Sequence, residues 1–179
     1  FRYIKKLLLL AVLVLSSITA SAQIWVGGNL GFGIHTSKWQ DQPSSTGASV
    51  FIAPEIGYNI TNNVAIAAEI IVDYGRAKGT NTTEFLVGPY VRYTFTNNSR
   101  INFFGEFAMH YINRKVGDSM GGFNMQLRPG MSVNLVKNFD LIGKFNLLEF
   151  SHFSKNGVGY NEFGFAITGL LSIGFAYTF

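Results

Sequence analysis

The sequence predicts an all-β fold: an eight-stranded antiparallel up-and-down transmembrane β-barrel, preceded by a cleavable signal peptide. Three observations predict it. Apolar residues recur at every second position through eight segments, and one phase leaves the charged residues on the opposite face in all of them. The connections alternate long and short, as in a barrel with a rim of loops and a rim of turns. Charged residues make up only 13% of the chain, aromatics make up 15%, and 20 residues are glycine, a balance suited to strands that face lipid.

Residues 1–22 read as the signal peptide. Lys5 and Lys6 supply its positive start, residues 7–15 its apolar run, and Ala20-Ser21-Ala22 its cleavage site, with Gln23 as the new N-terminus. The apolar run is about half of what a helical membrane span needs. Residue 1 is phenylalanine, so an initiator methionine is expected ahead of it. Residues 23–179 then form the barrel domain. The formal charge is +4 from 14 basic and 10 acidic residues; without Arg2, Lys5 and Lys6 it is 11 against 10, or +1. No basic stripe is present, so a nucleic-acid partner is excluded. With no cysteine there is no disulfide, thiolate metal site or lipid-anchored start.

The first strand, 24–34, carries Ile24, Val26, Leu30, Phe32 and Ile34 against Trp25, Asn29 and glycines. A polar loop, 36–47, leads to the second strand, 49–60, where Val50, Ile52, Ile56 and Tyr58 oppose Glu55. Thr61-Asn62-Asn63 is a tight turn. The third strand, 64–74, sets Val64, Ile66, Ile70, Val72 and Tyr74 against Glu69 and Asp73. After a loop at 75–82, the fourth, 83–95, sets Phe85, Val87, Val91, Tyr93 and Phe95 against Glu84, Tyr90 and Arg92. A turn at 97–99 gives the fifth strand, 101–112, with Phe103, Phe107, Met109 and Tyr111 against Glu106 and His110. A loop at 113–122 precedes the sixth, 123–135, with Met125, Leu127, Met131 and Val133 against Asn124, Gln126 and Arg128. A turn at 136–138 starts the seventh, 139–150, with Leu141, Phe145 and Leu147 against Asp140, Lys144 and Asn146. A last loop, 151–162, leads to the eighth strand, 163–179. Its odd positions are nearly all large and apolar; its even positions are mostly small or polar.

A soluble eight-stranded barrel would carry its apolar side chains inside. Here the polar phase holds Glu55, Glu69, Asp73, Glu84, Arg92, Glu106, Arg128 and Lys144, so these point inward and the greasy face points to lipid. Eight strands leave just enough room for side chains to fill, and ion pairs with trapped water are expected to plug the interior. Pro54, Pro89 and Pro129 fall inside strands, where each lacks a ladder N–H, and local bulges are expected there.

The Ala-Ser-Ala-Gln site, Val87-Gly88-Pro89-Tyr90-Val91-Arg92-Tyr93, Arg128-Pro129-Gly130 and the closing Ser172-Ile173-Gly174-Phe175-Ala176-Tyr177-Thr178-Phe179 resemble the outer-membrane β-barrel (porin-like) family common in Bacteroidetes-type bacteria, similar in size to OmpA- and OmpX-type barrels. The resemblance implies residence in the cell outer membrane among its lipids and lipopolysaccharide. It also implies a C-terminal signal for the barrel-assembly machinery, matched by Phe175, Tyr177 and Phe179. His152-Phe153-Ser154 resembles the H-x-S element of the lipid A deacylase family, small barrels with a Ser-His-Glu site; Glu162 is the nearby acid. The match is short: Lys155 stands where that family has an asparagine, and Glu162 does not match its acid position.

His35, His110 and His152 are placed near the loop rim as separate residues, so no metal or cofactor is expected. Lys38, Arg76, Lys78, Arg114, Lys115 and Lys155 outnumber Asp41, Asp118 and Glu162 in the outer loops. Aromatics fit two girdles, with Phe32, Phe51, Tyr74, Phe85, Tyr111 and Phe123 at the loop end. The expected molecule is a monomeric, non-catalytic surface barrel with a plugged interior. The alternatives are a lipid A acyl hydrolase using His152 and Ser154, and a narrow porin.

Overall fold

The computed structural model describes residues 23–37, 45–77, 80–96, 100–155, 158–165 and 171–179. The signal peptide and its cleavage site lie outside these residues, as do Lys38, Asp41 and Lys78. Ten strands follow one another: β1 (Ile24–Ser37), β2 (Ser45–Asn59), β3 (Val64–Ala77), β4 (Thr80–Thr94), β5 (Ile101–Val116), β6 (Asp118–Val136), β7 (Phe139–Phe145), β8 (Leu148–Lys155), β9 (Val158–Phe165) and β10 (Leu171–Thr178). Every pairing is antiparallel between neighbours.

These ten strands make eight staves. β6 pairs with β7 through Gly130–Val136 and with β8 through Gly121–Leu127, so β7 and β8 are the two halves of one stave. β10 pairs with β7 and β9 with β8, which makes the last stave. β10 also pairs with β1, Trp25 opposite Thr178, and this seam closes the ring. The fold is the predicted closed barrel.

The alternation predicts the faces because a strand's successive side chains point to opposite sides. Leu30, Phe32, Val50, Ile52, Phe103 and Ile173 stand more than half exposed on the outside, while Asn29, Glu69, Glu106 and Asn124 are buried inside. So wide an apolar exterior is untenable in water and natural in a bilayer. At the turn end, Phe139 stacks on Phe175 at 5.9 Å, and the edges of Tyr93–Phe95 and Tyr177–Phe179 meet at 5.3 and 5.2 Å. Phe51 departs from the expected girdle: it packs inward against the Ala53, Ile71, Leu86, Ile112 and Phe153 cluster.

Three expected long loops are mostly strand. β3 and β4 stay paired to Ala77–Thr80, β5 and β6 to Val116–Asp118, and β8 and β9 to Lys155–Val158. The hairpin residues are mostly polar or glycine, although Phe153 is buried, so the contrast that marks a membrane strand fades while the ladder continues. Gly117 makes the tight β5–β6 reversal at a φ of 73°, a conformation that glycine takes without a Cβ penalty.

The expected bulges at Pro54 and Pro89 are absent. The β2–β3 ladder skips Pro54 but keeps its register, Ile52 opposite Val72 and Glu55 opposite Glu69; β4–β5 does the same around Pro89. Each proline omits a bond to one neighbour and keeps its place beside the other. Pro129 differs. Beside it the partner of β6 changes from Lys144 at Gly130 to Leu148 at Leu127, one residue out of register, where β7 gives way to β8.

Candidate functional site

The inward residues of six staves meet at mid-height. Glu55 comes from β2, Glu69 from β3, Tyr90 and Arg92 from β4, Glu106 and His110 from β5, Arg128 from β6 and Lys144 from β7. Arg92 donates to Glu106 Oε1 through Nε at 2.9 Å and Nη2 at 2.7 Å. Arg128 bridges Glu69 at 2.6 Å and Glu106 at 2.9 Å. Lys144 Nζ lies 3.2 Å from both Glu55 Oε2 and Glu106 Oε2. Three carboxylates thus face three cations, and burial keeps their attraction strong because little water screens it.

Tyr90 sits at the centre. Its hydroxyl donates to Glu55 at 2.9 Å, and Arg128 and Lys144 each lie 5.1 Å from its ring. Arg92 is sandwiched near Trp25 and Phe104, at 5.0 and 4.5 Å from their centroids. Gly57 leaves the space that the Trp25 indole fills, and Gly130 leaves space for Phe104.

Six of the eight sequence-predicted interior charges join this cluster. Asp73 and Glu84 lie instead nearer the loop end, opposite each other across β3 and β4. His110, expected at the rim, is 1% exposed inside the barrel; its Nε2 lies 2.9 Å from Glu69 and its Nδ1 3.3 Å from Asn124. The signal was present, since His110 shares the phase of Glu106 four positions earlier. Arg114, read as a loop cation, turns inward: it bonds Glu84 at 2.5 Å and Glu162 at 2.8 Å, over the ring of Phe153.

The cluster separates two chambers. One, of about 460 Å³, reaches from Gly47, Arg76 and Thr82 at the loop end down to Glu69, Arg128 and Lys144. The other, about 200 Å³ at the turn end, reaches up to Trp25, Arg92 and Phe104. Glu55, Tyr90 and Glu106 line neither chamber.

The catalytic candidates His152, Ser154 and Glu162 sit elsewhere. His152 and Ser154 lie on β8 and are exposed on its outer face, while Ser151 and Phe153 between them point inward. His152 Nδ1 is 2.7 Å from Asn161 Oδ1 on β9. Glu162, the expected acid, binds Arg114 and is opposite Ser151 in the ladder, so it faces away from His152. Phe175, Tyr177 and Phe179 stand exposed on the outer face at the turn end. Among the described residues no group of three His, Cys, Asp or Glu is placed to hold a metal. Nothing is described of the His35 side chain.

The structure resembles Neisserial surface protein A, at a TM-score of 0.58 and 20% identity over 89% of this chain and 98% of that one. It also resembles the outer membrane protein OprG from Pseudomonas aeruginosa, at 0.53 and 13%, over 87% and 94%. At these identities the likeness concerns the fold alone. Comparison with curated proteins gives no match. The description of the outer membrane protein beta-barrel domain matches residues 7–179, and with the closed ring and the lipid-suited exterior it follows that the chain belongs to this outer-membrane β-barrel family.

Proposed function

We propose that the protein is a monomeric, non-catalytic outer-membrane barrel that acts through its surface, with its lumen plugged. One observation carries the reading: the charge cluster fills the barrel at mid-height, with Glu106 0%, Glu69 2%, Arg128 3% and Lys144 4% exposed. A solute would have to break several desolvated ion pairs to pass, and leaving one buried charge unmatched is costly. Its partners on this reading are outer-membrane lipids and lipopolysaccharide, and the assembly machinery that would read Phe175, Tyr177 and Phe179 during insertion. Export by the signal peptide, cleavage between Ala22 and Gln23, and an origin in a Bacteroidetes-type bacterium belong to the same reading. Reconstitution in planar bilayers tests the plug: silence is expected, and reproducible unitary steps would make the chain a narrow porin.

A second reading, lipid A acyl hydrolysis, is favoured by the outward pairing of His152 with Asn161, two positions from Ser154. A histidine oriented by a neighbour can activate a serine. Against it stands Glu162, committed to Arg114 on the other face. Lipid A mass spectrometry of a Gram-negative host expressing the wild type and Ser154→Ala decides. Unchanged lipid A in both is expected; an acyl chain lost only with the wild type would establish the hydrolase.

A further inference from the structure

We propose that the loop-end chamber binds a small organic cation, a primary amine or diamine with a short aliphatic body. The charge ledger of the interior points there. The mid-barrel cluster balances, Glu55, Glu69 and Glu106 against Arg92, Arg128 and Lys144. Among the described residues, the chamber above it does not. Glu84 and Glu162 share Arg114, and Arg76 is exposed at the mouth. Asp73 and Glu149 face the same chamber with no cation within ion-pair distance among the described residues. Asp73 is held by Ser49, and Glu149 accepts from Asn124 at 2.7 Å and Gln126 at 3.5 Å. Hydrogen bonds fix these two carboxylates in place without neutralising them.

An independent observation comes from Gln126. It is 5% exposed and lines the chamber, yet its Oε1 has no donor within reach among the described residues. A buried acceptor without a donor is costly, and a ligand that brings N–H groups relieves the cost. Arg128 Nε and Nη2 and Glu69 Oε2 also lack hydrogen-bond partners among the described residues, but they belong to groups already in ion pairs with one another, with Glu106 and with Lys144, so the charge the chamber lacks is positive. A metal ion would need three or more converging ligands, and no such group exists among the described residues. An ammonium needs only acceptors, and it brings three donors. Beside the acids, Phe51, Ala53, Ile71 and Leu86 supply apolar wall for an aliphatic body. At about 460 Å³ the chamber falls within the usual range for small-molecule sites.

The test titrates the refolded chain in a nonionic detergent with 1,5-diaminopentane, n-pentylamine, 1-pentanol and pentanoate. Calorimetry gives affinities, and methyl NMR of Ile71 and Leu86 places the ligand. The diamine should bind most tightly, the amine next, and the alcohol and acid least. Asp73→Asn with Glu149→Gln should weaken the diamine by about tenfold or more, as removing a charge partner in a desolvated site does. Asp140→Asn, at the turn end, should leave binding unchanged. The proposal fails if pentanol rivals pentylamine, if the double variant binds the diamine as the wild type does, or if binding leaves the Ile71 and Leu86 methyls unmoved. Should the double variant not fold, the amine-to-alcohol ratio in the wild type decides. A conducting barrel would overturn the plug without touching this result.

Discussion

In the turn-end half of the barrel, the last stave is bonded on both sides: β10 joins β7 on one edge and β1 on the other. In the loop-end half, β9 pairs with β8 alone among the described residues. The charges divide the same way. The mid-barrel cluster, which floors the loop-end chamber, is balanced in charge, desolvated and backed on its turn-end side by the rings of Trp25 and Phe104. Among the described residues that line the chamber above it, Asp73, Glu84, Glu149 and Glu162 outnumber Arg76 and Arg114, and Arg114 holds a half-exposed partner, Glu162. One alternation of side chains therefore builds a rigid lower frame and a looser, chemically unfinished upper one. Stability belongs to the first, and recognition has room in the second.

The largest test of that contrast is Glu106→Ala. It removes a partner of Arg92, Arg128 and Lys144 at once and leaves two carboxylates facing three buried cations, which should cost about 3–5 kcal/mol in a urea unfolding titration in detergent. A loss below about 1 kcal/mol, the scale of a surface pair, would mean that water reaches the cluster. Next comes Gly57→Ala, whose new Cβ would clash with the Trp25 ring. Overpacking of this kind should cost about 1–3 kcal/mol by the same titration, with part recovered by adding Trp25→Leu. Hydrogen exchange sharpens the comparison further. Amides of β9 should exchange at least about tenfold faster than those of β10, since among the described residues β9 is bonded on one side only and such a strand opens locally at lower cost. Equal protection would show the loop-end half to be as firmly held as the turn end. The smallest effect is Glu162→Ala: its side chain is 55% exposed, so the loss should stay below about 1 kcal/mol and shrink with added salt.

Much of the lower half was legible in the sequence because lipid and lumen impose opposite demands on alternate residues. Glu55, Glu69, Glu106, Arg128 and Lys144 share one phase, and that phase alone places them inside. The upper half was harder to read. Where strands leave the bilayer the outer face turns polar too, so Asn113 and Arg114, or Ser151 to Lys155, look like loop although the ladder runs on. The break in the seventh stave did leave a trace. Lys144 and Glu149 are an odd number of positions apart, so an unbroken strand cannot turn both inward, and the one-residue slip beside Pro129 is what allows it. The partnership of His152 with Asn161 required knowing that β8 and β9 form a hairpin, and the commitment of Glu162 to Arg114 depended on contacts across the lumen that no local pattern encodes.

The seam between β1 and β10 has a consequence for how the molecule comes into being. Its partners stand far apart in the sequence, Trp25 against Thr178, so the ring stays open until the last stave has arrived. Until then the first strand presents an unpaired edge, a template on which another chain can add. Contacts so distant in sequence also form slowly, which lengthens the exposure. A nascent chain of this kind depends on being escorted and on its final strand being delivered intact. A truncation that spares the interior charge cluster and removes only β10 would yield an open, aggregating sheet in place of a smaller barrel.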